Sequence, residues 1–128
     1  MRNEFQIRLF ESYPKIFRDR DLPLMKSATG RGIVCDDGWY PLIDALCATL
    51  QACADSGCGP QVVVSQVKEK FGSLRFHVKG FAAGRSAEQY GMLLFAQYLS
   101  ERICEVCGAW KSQGCLYGGC SAAQRIKF

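Results

Sequence analysis

Apolar residues recur at helical spacing in one long stretch of the chain and at alternating positions in another. The helical stretch contains Trp39, Leu42, Ile43, Leu46, Leu50 and Cys53. This spacing puts the six side chains on one face, so we predict a core helix over about 38–55. Asp36 or Asp37 is expected to cap its beginning, and Gly57 and Pro60 are expected to end it.

The apolar spacing changes to two in the stretch that follows this helix. Residues 62–70 begin with valines, and apolar and polar residues alternate over 74–79, so an antiparallel hairpin is predicted over about 61–79. The face expected to meet the core contains Val63, Val67, Phe71, Leu74, Phe76 and Val78. The opposite, basic face presents Lys68, Lys70, Arg75, His77 and Lys79.

Two further helices are predicted outside these stretches. The first is expected over about 3–12 with Asn3 as its N-cap, followed by a short helical turn near 14–18. Residues 19–34 show no sustained period and are predicted to form a long loop. The second helix is expected over about 86–103, because Ser86 and Gln89 match a capping box. This helix is apolar over a broad arc, so we expect it to pack centrally. The predicted fold class is α+β, with helices packed on the antiparallel hairpin or on a small sheet.

Four of the eight cysteines lie close together near the end of the chain. Cys104 and Cys107 form a C-x2-C pair that precedes Gly108, and Cys115 and Cys120 follow. Thiolates two residues apart on a tight turn can supply two ligands to a tetrahedral Zn²⁺ ion, and a glycine there can adopt positive φ. We predict a structural Zn²⁺ held by all four cysteines, in a zinc-ribbon-like knuckle that occupies a C-terminal subregion at 104–120.

The spacing of the second cysteine pair leaves other interpretations of these thiols open. Zinc ribbons usually carry C-x2-C or C-x2-H at that point, whereas this chain has C-x4-C after a short loop. His77 or another cysteine could be the fourth ligand. The thiols could also be free, form a disulfide or bind another metal centre.

The remaining cysteines and the single histidine give little support for catalysis. Cys47 and Cys53 lie on or beside the apolar helix face, where we expect buried thiols, and Cys35 and Cys58 show no metal-ligand spacing. His77 is expected to be a surface residue among cationic neighbours. We therefore predict no enzymatic activity and no small-molecule substrate. An enzyme that uses His77 and a cysteine is kept as a third hypothesis.

Composition and charge fit a small cytoplasmic protein. The 128 residues are expected to form a single domain, and 48% hydrophobic with 22% charged residues is ordinary for a globular chain. No apolar run is long enough to span a membrane, and the beginning of the chain has no signal-peptide core. Residues 1–60 carry a net charge of −1 and residues 61–128 carry +5, which is modest for a nucleic-acid binder.

Three stretches of the chain together resemble a known family. They are CDDGWYPLIDALC at 35–47, VVSQVKEKFGSLRF at 63–76 and RICEVCG at 102–108. The sequence is similar to small, largely uncharacterised proteins encoded by phages, prophages and their bacterial hosts, over roughly residues 1–110. The resemblance implies a phage-type accessory protein in the bacterial cytoplasm, with a metal knuckle and no catalytic residues. Cys115 and Cys120 stand where that family usually has a cysteine-to-histidine pair.

Two hypotheses of function follow from the absence of a catalytic motif. The first is stoichiometric binding to a host protein complex or its bound nucleic acid, as an anti-CRISPR-like inhibitor of host defence acting through the basic face. The alternative is a zinc-stabilised accessory or regulatory protein that binds nucleic acid. Base stacking is not expected, because Phe71 and Phe76 are predicted to face the core.

Overall fold

Helices and a small mixed sheet make up the part of the chain that the structure describes. The computed structural model describes residues 1–21, 32–79 and 86–111. The helices are α1 (Asn3–Ser12), a 3₁₀ helix (Asp37–Trp39), α2 (Tyr40–Asp55) and α3 (Ala87–Ser100), and the strands are β1 (Ile33–Val34), β2 (Val64–Lys70) and β3 (Ser73–Val78). The predicted α+β class, the two flanking helices and the core helix are confirmed.

The three strands form one sheet in the order β1-β2-β3. The predicted hairpin is confirmed: β2 and β3 are antiparallel, with Val67 opposite Phe76 and Lys68 opposite Arg75. Strand β1 runs parallel to β2 on its other side. The predicted loop at 19–34 is therefore wrong at its end, because a two-residue strand is too short to show a period. Residues 22–31 of that loop lie outside the described residues.

The hairpin turn differs from the prediction at Phe71. Phe71 has φ +55° and Gly72 has φ +76°, and a type I′ turn requires positive φ at both of its central residues. The Gly72 N–H donates to Glu69 Oε2 at 2.7 Å and closes the turn. Phe71 is 87% exposed, so its predicted place on the core face is wrong. The alternation of β2 ends at Lys70, and a turn residue does not inherit it.

The core lies between α2 and the sheet. Ile43, Leu46, Cys47 and Leu50 of α2 are buried, together with Val64 and Val67 of β2. Leu9 of α1 and the consecutive residues Ile16 and Phe17 are also buried. Ile16 and Phe17 lie in the turns at 14–21, where the Phe17 N–H donates to the Tyr13 carbonyl at 3.1 Å in the i→i−4 pattern. The predicted helical turn thus adds two side chains to the core.

The predicted helix caps are correct at α3 and wrong at α1 and α2. Ser86 Oγ accepts from the Gln89 N–H at 3.1 Å, and Gln89 Oε1 accepts from the Ser86 N–H at 3.3 Å, so the capping box is confirmed. Asn3 lies inside α1, and Asp36 makes no side-chain capping bond. Asp37 instead accepts from Arg2, through the backbone N–H at 2.8 Å and Nε at 2.7 Å. An ion pair to α1 has replaced the expected cap.

Candidate functional site

The first cysteine pair lies on a tight turn that we call the knuckle (residues 102–111). The Lys111 N–H donates to the Arg102 carbonyl at 2.7 Å, and the Cys104 N–H donates to the Ala109 carbonyl at 2.8 Å. Inside the knuckle, the Gly108 N–H donates to the Cys104 carbonyl at 2.8 Å, and Gly108 has φ +80°. The sequence predicted this local geometry from the C-x2-C-G spacing. Cys115 and Cys120 lie outside the described residues.

The knuckle is docked on the 3₁₀ helix that precedes α2. The Gly38 N–H donates to the Glu105 carbonyl at 2.6 Å, and the Trp39 indole N–H donates to the Ile103 carbonyl at 3.0 Å. The Asp36 N–H donates to the Glu105 carboxylate at 3.1 Å. A Cβ on Gly38 would lie 2.4 Å from the carbonyl oxygens of Cys104 and Glu105, so no larger residue fits without movement. Three donors and one close approach therefore hold the turn in place.

Two of the four cysteines of the predicted metal site lie within the described residues. Cys104 is buried and Cys107 is half-buried. Cys107 lines an open hollow of about 430 Å³ together with Leu42 and Leu99. No group of three or more histidine, cysteine, aspartate or glutamate side chains that could hold a metal ion occurs within residues 1–21, 32–79 and 86–111. His77 is therefore not grouped with the pair.

The other cysteines are structural or chemically quiet. Cys53 and Cys58 form a disulfide with Cα atoms 5.1 Å apart, so the expected thiol at Cys53 is wrong, whereas the buried thiol at Cys47 is confirmed. Burial raises the pKa of Cys35 to about 12 and also raises the pKa of Cys47. Both thiols are protonated at neutral pH and are poor nucleophiles.

The hairpin brings four of the five basic-face residues together. Lys68 lies opposite Arg75, and His77 lies opposite Gln66 beside them. Lys70 is exposed at the end of β2. Partial burial, and then the charges of Lys68 and Arg75, lower the pKa of His77. The imidazole is therefore neutral at neutral pH in an electropositive environment.

Lys79, the fifth residue of the basic face, is engaged elsewhere. Its ammonium group forms an ion pair with the carboxylate of Asp19. Lys68, Lys70 and Arg75 form no ion pair within residues 1–21, 32–79 and 86–111, so these three carry the unpaired positive charge of the described basic face.

Sequence reasoning missed the outer surface of α3. Its exposed large side chains are Tyr90, Leu94, Phe95 and Tyr98, with exposures of 50%, 39%, 69% and 53%, and we call them the α3 face. The buried residues of this helix are Gln89, Ala96 and Ser100, so it packs on one side only and is not the central helix that we predicted. A helix that is apolar around most of its circumference gives no sequence signal for which side is covered.

A groove connects the α3 face to the basic face. It lies between α3 and β3 and has a volume of about 190 Å³. Its lining includes Arg75, Phe76, His77, Tyr90, Leu93 and Leu94. Apolar side chains from the helix therefore meet cationic and polar side chains from the strand. The Nε of Arg75 is buried and has no hydrogen-bond acceptor among the described residues.

The chain matches no protein-family model, and no curated protein and no solved structure is significantly similar to it. The resemblance to phage-type proteins therefore stays a prediction. None of the helices in the described ranges is long and apolar enough to cross a lipid bilayer.

Proposed function

We propose that this protein acts by binding a partner protein in a fixed stoichiometric ratio, without catalysing a reaction. The observation that carries the proposal is the α3 face, where four large apolar or aromatic side chains are exposed on one helix. Contiguous apolar surface of this kind on a small protein is typical of an interaction site. Tyrosine and phenylalanine are also enriched at the centres of protein interfaces.

The chemistry of Cys35, Cys47 and His77 supports binding rather than catalysis. A cysteine–histidine enzyme needs a thiol that ionises readily and an imidazole within hydrogen-bond reach. Burial raises the pKa values of Cys35 and Cys47, which keeps both thiols protonated. His77 is exposed, and its nearest charged neighbours on the hairpin are cations rather than a thiolate. These environments favour a role in surface recognition.

The proposed partner is a protein complex of a bacterial host. This part of the proposal rests on the resemblance to phage-encoded accessory proteins, and an anti-CRISPR-like inhibitor of host defence is the specific form that we propose. The charges of Lys68, Lys70 and Arg75 beside the groove would favour an acidic partner surface and speed its encounter. The α3 face would then provide the apolar contact area.

We also propose that Cys104, Cys107, Cys115 and Cys120 hold one structural Zn²⁺. The turn at Gly108 and the position of Cys104 and Cys107 on one knuckle support it. Four thiolates leave no open coordination position, so such an ion would hold the end of the chain and would not activate water. The acting surface would then be the α3 face and the hairpin rather than the metal site.

A site-specific photo-crosslinker tests the binding proposal. Placed at Phe95 in the α3 face, it should capture one host protein in cells of the bacterial host. The matched control places it at Ala48, which is exposed on α2. Titration of the purified partner with the protein should then reach an end point at a fixed molar ratio. Equal capture at Ala48, or full loss of partner activity at a small molar fraction, would contradict stoichiometric binding through α3.

A second function, binding to single-stranded nucleic acid, is favoured by one observation at the hairpin turn. Phe71 does not face the core, which removes the reason for not expecting base stacking at this ring. The ring is 87% exposed, and the Lys70 ammonium lies 5.6 Å from its centroid. An aromatic ring beside a cation can stack a base and pair with a phosphate. Salt-sensitive retention of an oligonucleotide, lost in Phe71→Ala and kept in Phe95→Ser, would support this function over the first.

A further inference from the structure

We propose that the outer edge of β3 binds an extended segment of the partner protein, in which acidic and apolar residues alternate, as an added strand of the sheet. This inference rests on the proposed protein-binding function and names the chemistry of the partner. It concerns the groove between β3 and α3, where an open strand edge, an apolar wall and unbalanced positive charge occur together.

At alternate residues the backbone N–H and C=O groups of β3 point toward β2 and away from it. In the sheet that the structure describes, β3 has β2 on one side and is an edge strand. The Lys79 N–H donates to the Val63 carbonyl at 2.8 Å, toward β2, whereas the Leu74 N–H donates to Ser100 Oγ on α3 at 2.8 Å, away from it. Because these directions alternate along a strand, the N–H and C=O of Phe76 also point away from β2. An edge of this kind is a template for an added strand.

The part of the β3 edge that a partner could reach is short. Ser100 already occupies the Leu74 N–H, so α3 covers the beginning of β3. The edge becomes available at Phe76, which also lines the groove. A segment of about four or five residues, at roughly 3.3 Å per residue, is enough to follow the strand to its end at Val78. The expected ligand is therefore a short extended segment and not a helix.

The two sides of such a segment would meet different surroundings in the groove. Successive side chains of a strand point to opposite faces. One set would meet the apolar wall formed by Tyr90, Leu93 and Leu94, and the other would pass Arg75 and His77. The groove lining contains no acidic residue, and the buried Nε of Arg75 has no acceptor among the described residues. Carboxylates on alternate positions would balance the charge of Arg75 and Lys68.

The test uses a fluorescent peptide of seven residues in which valine and glutamate alternate. Fluorescence anisotropy with the full chain should show saturable binding, and nuclear magnetic resonance should show a shift of the Phe76 amide signal. Two control peptides carry lysine in place of glutamate, or an N-methyl group on every backbone amide. Neither control should bind, because the first reverses the charge and the second removes the backbone donors from both edges of the peptide. These controls leave the protein unchanged, so its folding does not enter the comparison.

A pair of protein variants tests the position of the peptide. His77→Glu places a negative charge in the groove, and we expect affinity for the peptide to fall by about tenfold. Arg8→Glu also introduces a negative charge, on the exposed side of α1, and should leave the affinity unchanged. Equal binding of the N-methylated peptide, an unmoved Phe76 signal, or an unaffected His77→Glu variant would each overturn the inference.

The same measurements separate this inference from the function on which it rests. If the crosslinker at Phe95 captures a partner but the alternating peptide does not bind, protein binding stands and the added strand is wrong. If no crosslinked partner forms, the proposed function itself fails. If a single-stranded oligonucleotide moves the Phe76 amide and the peptide does not, the edge contacts nucleic acid and the inference is overturned.

Discussion

At the scale of single residues, Gly38 is the position where the smallest change should have the largest structural effect. A methyl group there would lie 2.4 Å from two carbonyl oxygens of the knuckle, and backbone atoms cannot move aside as a flexible side chain can. We expect Gly38→Ala to lower the free energy of unfolding by about 1–3 kcal/mol, as overpacking does elsewhere. Urea unfolding followed by circular dichroism measures this change.

Gly91 provides the matched control for that substitution. It lies within α3, and a Cβ built there would meet nothing within 4 Å. Gly91→Ala should therefore raise the free energy of unfolding by about 0.5–1 kcal/mol, because alanine loses less backbone entropy in a helix. Equal effects of the two substitutions would show that the close contact between Gly38 and the knuckle does not limit stability.

Phe71 occupies a backbone conformation that bulky residues rarely adopt. Its φ of +55° lies in the left-handed region, where asparagine is much better tolerated. Phe71→Asn should therefore raise the free energy of unfolding by about 1 kcal/mol. Phe71→Ala keeps the strain and should give a smaller gain. Thermal unfolding of both variants measures this difference, and a loss of stability in Phe71→Asn would mean that the exposed ring makes a stabilising contact.

At the scale of elements, Gln89 connects α3 to the segment between α2 and β2. Its side chain is fully buried, accepts from the Ser86 N–H and donates from Nε2 to the Pro60 carbonyl at 2.7 Å. Gln89→Leu keeps the volume but leaves the Pro60 carbonyl without that donor. The free energy of unfolding should fall by about 1–3 kcal/mol, which is typical of a buried polar group that loses its partner.

Gln97 is the control for this element. It is on the same helix but only half-buried, and its carbonyl rather than its side chain accepts from Ser100 Oγ. Gln97→Leu should change the free energy of unfolding by less than about 0.5 kcal/mol. If both variants are equally destabilised, the loss comes from added hydrophobic bulk and the fastening role of Gln89 is wrong.

Local sequence patterns predicted the helices and the hairpin strands well, and predicted poorly which elements pack against them. The alternation from Leu74 to Val78 predicted β3, and the serine–glutamine pair predicted the start of α3, because both signals involve neighbouring residues. Strand β1 depends on pairing with β2 across more than thirty residues, which no local period encodes. The exposed side of α3 likewise depends on which elements pack against the helix. The edge position of β3 depends on the absence of a second neighbouring strand in the described sheet.

At the scale of the whole molecule, the knuckle that carries Cys104 and Cys107 is attached to the domain by hydrogen bonds. The knuckle is docked through Gly38, Trp39 and Asp36, so protein contacts already arrange this part of the proposed metal site. A metal ion bound there would bind a preformed turn. It would raise the free energy of unfolding by an amount set by its affinity and concentration. The disulfide between Cys53 and Cys58 lies at the end of α2 and is a separate covalent constraint.

Metal analysis with thiol counting tests this arrangement in one experiment. We expect one Zn²⁺ per chain, and chelation should expose four thiols to a thiol reagent while Cys35 and Cys47 stay unreactive until the protein unfolds. Cys107→Ser should lose the ion and lower the unfolding temperature, whereas Cys47→Ser should keep it. Acidification should also release the ion, since thiolates bind metal only when deprotonated. A Cys107→Ser variant that retains full metal content would show that these four cysteines do not form the site.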